Sequence, residues 1–269
     1  MTREGSGRTA LVTGASAGIG KAFADVLAEH GYGLVLTARR ADRLEAVAAD
    51  VRTRHGVPVA VVVADLADPA APAALVAAVQ ALGLQVDVLI NNAGYGVPGT
   101  YGRSEWQRHA DFIQVLVTAV AELTHRLLPG MIERRWGRVV NIASLAALVP
   151  AAPGHTLYAA SKAFLVKFSE ALAGEVRGHG VHVTASCPGF TYSEFHDVTG
   201  TREQMQGMPR FMWLDARQVA DESYAAVMAG HAMVVTGRLN RVVAFGARHL
   251  PAVVARAAVA RQSRHYRKL

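Results

Sequence analysis

Tyr158 and Lys162 stand four residues apart in the run Tyr-Ala-Ala-Ser-Lys. Four residues is about one turn of an α-helix, so a phenol and an ammonium at this spacing share a face and can meet. An undisturbed tyrosine titrates near pH ~10. A fixed positive charge beside it favours phenolate and is expected to lower that value. Such a pair can pass a proton near neutral pH. The same five residues also suit an ordinary helix surface, so the surrounding elements must decide between the two readings.

Those elements alternate. Short β-rich runs (TALVT, GLVLTA, VAVVVAD, VDVLINNAG, GRVVNIAS, VHVTASCPG, AMVVTG) are separated by Ala-rich segments of helical character. Helices are expected from about Gly18 to His30, from about Ser104 to Glu133 and from about Tyr158 to Arg177. The strands read as nearly continuous apolar runs, as strands of a parallel sheet covered on both faces do. The expected fold class is therefore α/β, a doubly wound, mostly parallel sheet with helices on both faces. The chain of 269 residues suits a single domain over 1–269.

The first strand runs into TGASAGIG, with Gly14, Gly18 and Gly20. Glycine permits a tight turn and close backbone approach to a ligand, and the helix that follows aims its free N–H groups at phosphate oxygens. This is the logic of a dinucleotide site, although the spacing differs from the common G-x-G-x-x-G. An NAD site usually carries an acidic residue near the end of the second strand. This strand ends Thr37, Ala38, Arg39, Arg40. No carboxylate repels a 2′-phosphate there, and a guanidinium can receive one through paired hydrogen bonds. The expectation is NADP(H) in preference to NAD(H), with Arg39 on the phosphate; the bland alternative is a solvated helix start.

Charge and cysteine content exclude other classes. The formal net charge is +7, but Gly237–Leu269 holds eight Lys/Arg and no Asp/Glu. The preceding body has 20 basic and 21 acidic residues, so nucleic-acid binding by it is not supported. Residues 237–269 read as a basic C-terminal extension. The single cysteine, Cys187, forms no intrachain disulfide and is expected to be buried at a strand end. No signal peptide is evident, and no apolar run reaches the ~18 residues of a membrane span. A soluble, cytoplasmic protein is expected.

Taken together these segments resemble the short-chain dehydrogenase/reductase family, to about Gly237. TGASAGIG is similar to its cofactor loop, which implies coenzyme contacts from Gly14, Ser16, Gly18, Ile19 and Gly20. Asp65, with Leu66 after it, resembles the adenine-contacting aspartate. Asn91-Asn92-Ala93-Gly94 resembles the motif after the fourth strand. Ser144, Tyr158 and Lys162 resemble the catalytic serine and Y-x-x-x-K pair. Pro188-Gly189, with Thr191 and Ser193 beyond, resembles the segment beside the nicotinamide. The resemblance implies a sheet order 3-2-1-4-5-6-7, a homodimer or homotetramer, and hydride transfer between NADP(H) and a carbonyl or alcohol. Tyr158 would move the proton, Ser144 would hold the carbonyl oxygen, and Lys162 would hold the nicotinamide ribose and depress the Tyr158 pKa.

Two departures stand out. Ser144 to Tyr158 is one position longer than is usual, in a Pro- and Gly-containing stretch able to absorb it. Leu116 stands where the family usually has an asparagine that organises a water behind the lysine, and leucine makes no such hydrogen bonds. Gln114 and Thr118, two residues away, face the opposite side of a helix. Leu116 is the main support for a second reading, a weak or inactive cofactor-binding scaffold.

Substrate information is thin. Phe195, Met205, Met208, Phe211, Met212 and Trp213 follow the Pro-Gly segment, and Tyr95, Val97 and Tyr101 follow the fourth-strand motif. They suit an apolar pocket, or equally core or subunit packing. In the tail, Arg256, Arg261, Arg264, Arg267 and Lys268 fall within roughly 140° on a continuous helix. A solvated or subunit-packing segment is the favoured reading, contact with an anionic membrane surface the other. His249 and His265 have no metal-ligand spacing, and no metal site is expected.

Overall fold

The computed structural model describes residues 3–97, 99–151, 153–154, 156–192, 209–251 and 253–254. Seven parallel strands form one sheet in the order β3-β2-β1-β4-β5-β6-β7. They are β1 (Thr9–Thr13), β2 (Gly33–Thr37), β3 (Val59–Val61), β4 (Val86–Asn91), β5 (Gly137–Ile142), β6 (Val181–Cys187) and β7 (Met233–Val235). The topological switch lies between β1 and β4, which pair with each other while the chain winds outward from both. In such sheets ligands bind beyond the carboxyl ends of the strands at this switch.

The sequence builds the sheet through side-chain alternation. Ala10 and Val12 of β1 face one side, with Leu34 and Leu36 of β2, and pack on Phe23, Leu27, Leu44 and Val47. Leu11, Val35 and Leu89 face the other side and pack on Leu75, Phe112, Leu123 and Leu172. Both faces being covered, β4 and β5 are buried along their whole length. The first layer of helices is α1 (Gly18–Glu29), α2 (Ala41–His55) and α7 (Ala216–Met228). The second is α3 (Ala71–Ala81), α4 (Trp106–Ile113), α5 (Ala119–Glu133) and α6 (Thr156–Val176).

The long helix expected from Ser104 to Glu133 is one rod with a defect. A five-residue π turn, Gln114–Thr118, joins α4 to α5. By length and composition alone Trp106–Glu133 would cross a membrane, contrary to the reading of the sequence run by run. Phe112, Val115, Leu116, Val120 and Leu123 are instead buried against the sheet, which accounts for its apolarity.

Two polar networks brace the frame. Inside it, the Asn91 amide donates to Asn141 Oδ1 at 2.8 Å and to Thr124 Oγ1 at 3.2 Å. Asn141 in turn donates to Ser169 Oγ at 2.9 Å, so β4, β5, α5 and α6 are pinned together. Asn91 thus serves the core, whereas its neighbours serve the site. Outside, Arg217 of α7 bonds Glu29 at 2.6 Å and Asp25 at 3.2 Å, and His55 bonds Asp25 at 2.7 Å. Asp25, Glu29 and His55 have the proximity of a metal cluster. Their ligand atoms are engaged by arginines that tie α1, α2 and α7.

The basic C-terminal segment begins inside the fold. Helix α8 (Arg238–His249) follows β7, and Asn240 is buried beneath the segment after β6. A Cβ on Gly189 would come within 2.5 Å of the Asn240 amide, so any larger residue there would have to displace that side chain.

Candidate active site

At the carboxyl end of β1 the chain turns through Gly14 (φ 66°) into α1 at Gly18 (φ 54°), both in the left-handed region that favours glycine. A Cβ on Gly20 would lie 2.3 Å from the Gly14 carbonyl oxygen, so the loop and the first helical turn are in direct backbone contact. The side chain of α1's N-cap residue, Ala17, makes no capping hydrogen bond, which leaves the first-turn N–H groups of Ile19 and Gly20 directed outward past the loop. This is a cradle a Cβ would fill, and it fits a dinucleotide phosphate.

The fourth-strand motif holds that cradle. The Asn92 amide donates to the Thr13 and Gly14 carbonyls at 2.9 and 3.2 Å. The Thr13 hydroxyl accepts from the Asn92 and Ala93 N–H groups and donates to the Ile90 carbonyl. Gly94 faces Leu116: a Cβ there would sit 3.6 Å from the leucine.

Strand β3 ends at Val61, but Val62 and Ala64 still donate to the Leu36 and Ala38 carbonyls. Asp65 is thereby carried to the rim, exposed, with Leu66 buried beneath it. Its carboxylate accepts the Ala67 N–H at 3.1 Å. Arg39 and Arg40 are both exposed at the end of β2. The Arg40 guanidinium reaches the cofactor loop and donates to Ser16 Oγ at 3.2 Å.

Ser144 follows β5 in extended backbone (φ −170°), and its hydroxyl accepts the Ala146 N–H at 3.1 Å. A 3₁₀ turn, Leu145–Ala147, takes up part of the longer spacing before α6. The Ser144 and Tyr158 hydroxyls are hydrogen-bonded to each other. Lys162 is buried, its Nζ 5.7 Å from the centre of the Tyr158 ring, and it donates to the Ile142 carbonyl at 2.7 Å. The three sequence-predicted residues therefore come together at the carboxyl end of β5, on the same edge of the sheet as the cofactor loop at the end of β1.

The electrostatics correct one expectation. Burial raises the Tyr158 phenol above its ordinary value, and the Ser144 hydrogen bond only partly opposes this. The same burial lowers Lys162 to about 8, offset in part by Cys187 nearby. Lys162 was expected to depress Tyr158. Its ammonium is instead directed to the Ile142 carbonyl, and burial of the phenol sets the direction of the shift. Cys187 is fully buried as expected, and burial pushes its thiol up to about 12.

On the far side of Ser144, the Pro188 carbonyl accepts the Leu145 N–H at 2.8 Å. Thr191 donates to the Gly189 carbonyl at 3.2 Å and bridges to Leu214. Ser193, Phe195, Met205, Met208 and the tail cations from Arg256 onward lie outside the described residues. Trp213 stacks on Tyr192 at 4.8 Å, and Phe211 is exposed.

A cleft opens beside Tyr158, lined by Val97, Tyr101, His109, Phe112, Thr156 and Leu157 among others. Tyr95 instead packs edge-on against Phe112. His109 and Phe112 went unread in the sequence. They precede Leu116 by seven and four residues, a spacing that shares its helix face. His109 is buried, donates from Nε2 to the Tyr101 carbonyl at 3.0 Å, and has no partner at Nδ1 among the described residues.

The family model for short chain dehydrogenases matches residues 8–204. An uncharacterized oxidoreductase of Myxococcus xanthus is 40% identical over 191 residues, covering 71% of this chain and 75% of that protein. The solved structure of a 7β-hydroxysteroid dehydrogenase superposes with a TM-score of 0.83 at 27% identity, over 93% of this chain and 95% of the other. A short-chain dehydrogenase from Sphingobium yanoikuyae, solved in complex with NADPH, gives 0.78 at 29% identity, over 95% and 94%. The chain is an oxidoreductase of the short-chain dehydrogenase/reductase family and takes a nicotinamide coenzyme.

Proposed function

We propose that the protein is an NADP(H)-dependent reductase of a hydrophobic carbonyl compound, or equally the dehydrogenase of the corresponding alcohol. The observation that carries this reading is the hydroxyl pair Ser144–Tyr158 beside the buried Lys162, on the same sheet edge as the glycine cradle. The coenzyme, when bound, supplies or accepts the hydride. Ser144 donates a hydrogen bond to the substrate oxygen and stabilises the negative charge that grows there. Tyr158, kept protonated by burial, delivers its proton to that oxygen. Lys162 holds the nicotinamide ribose and is buried close to the phenol it helps to reprotonate.

Arg39 receives the 2′-phosphate while Arg40 braces Ser16 of the loop. Similar structures hold NADPH in the Sphingobium protein and NAD in one from Burkholderia phymatum, so the coenzyme choice rests on Arg39 and the absence of a carboxylate at the end of β2. The cleft mixes apolar Val97, Phe112 and Leu157 with polar-bearing Tyr101, His109 and Thr156, and its apolar part suits a hydrophobic group on the substrate. The name of the 7β-hydroxysteroid dehydrogenase it resembles points the same way. The second reading, a cofactor-binding scaffold, rests on Leu116, buried and packed at Gly94 where a polar side chain would serve a water.

A panel of apolar ketones and aldehydes, followed by the absorbance of the reduced coenzyme, separates the two. The expected result is turnover with kcat/KM for NADPH at least about tenfold above NADH, a preference that Arg39→Ala reduces by roughly tenfold. Equal efficiency with NADH would overturn the coenzyme assignment. NADPH binding without turnover across the panel would favour the scaffold.

A further inference from the structure

Helix α8 turns an apolar face away from the protein. Its inner side carries the buried Asn240 with the partly buried Ala244 and Ala247. At ~100° per residue, Phe245, Val242, Leu239 and Val243 fall within roughly 160° on the outer side. They are 65%, 68%, 40% and 42% exposed. Leu250, Val253 and Val254 beyond the helix are at least half exposed as well. Contiguous apolar surface of this kind marks a contact site.

The free charges around it are basic. Arg238 stands at its start and Arg248 beside it, both exposed, while Arg241 is ion-paired with Glu222 of α7 at 2.6 Å. From Gly237 to Leu269 the sequence has eight Lys/Arg and no acidic residue. Apposing two such segments would bring like charges together, which disfavours a second copy of this chain as the occupant. A bilayer with anionic headgroups satisfies both features at once, burying the stripe below the headgroups and pairing the arginines with phosphates.

We infer that α8 is a peripheral membrane-docking element that seats the protein on anionic lipid surfaces. Asn240 on its inner side packs closely against Gly189, so docking places the end of β6, and the site beside it, near the bilayer.

The test is co-sedimentation of the full chain with phosphatidylcholine vesicles, with and without about one third phosphatidylserine. The expected result is binding to the anionic vesicles alone, lost as salt shortens the Debye length to ~3 Å. The double variant Val242→Ser, Phe245→Ser should bind about tenfold more weakly, with unchanged far-ultraviolet circular dichroism and NADPH affinity. No binding to anionic vesicles, or equal binding by the variant, would overturn the inference. So would an oligomer that the variant dissociates in the absence of any vesicle binding, since α8 would then be a subunit contact.

Discussion

Burial moves Tyr158 and Lys162 in opposite directions on the pH scale for a single reason: each is held toward its neutral form. Lys162 titrates at about 8, below its ordinary 10.5. The cost of burying its ammonium is therefore present in full below pH 8, shrinks as pH rises towards 10.5, and is gone above. Lys162→Met removes the charge and keeps most of the volume. In urea unfolding the variant should gain on the wild type most near neutral pH, and the gap should close by up to ~3 kcal/mol toward pH ~10.5. A gap that does not change with pH would show that Lys162 is not desolvated as described. The pairing of these residues was legible, because a spacing of four is a property of the helix. The direction of the tyrosine shift was not, because it depends on how deeply the folded chain buries the phenol, which residue spacing does not reveal.

The rod α4–π–α5 is where an element departs from its family pattern. Leu116 is 1% exposed and sits in the π turn, with Gly94 and the core beneath α5 around it. Leu116→Asn exchanges that packing for a buried amide, a change expected to destabilise the fold by ~2–4 kcal/mol. The π turn already shifts the local hydrogen-bond pattern and frees backbone carbonyls. We expect kcat to change by less than about threefold, measured under substrate saturation. A gain of tenfold or more would mean that the native leucine impairs proton exchange behind Lys162. The position of Leu116 was readable from the sequence by alignment of the helix with its motif. The π turn was not, since nothing in Gln-Val-Leu-Val-Thr departs from α-helical periodicity.

At the scale of the whole molecule, the parallel sheet gathers chain segments that are far apart in sequence. The loop at 14–20, the motif at 91–94, Ser144, the pair 158–162 and the Pro188-Gly189 turn all follow strands that end on one edge. Continuous apolar strands separated by helices made this arrangement legible, together with the glycines that backbone contact requires at Gly14 and Gly20. Asn240 and Arg217 were not legible. Each acts on a distant element, Gly189 or Glu29, and neither leaves a periodic mark in the sequence. The chemistry of the assembled edge reduces to one proton donor, and Tyr158→Phe removes only its hydroxyl. Steady-state turnover of the carbonyl substrate found with the panel, alongside NADPH titration by fluorescence, is the most direct test. The account predicts a fall in kcat of roughly a hundredfold to ten-thousandfold with NADPH affinity within about threefold of wild type. Undiminished kcat in the phenylalanine variant would contradict it.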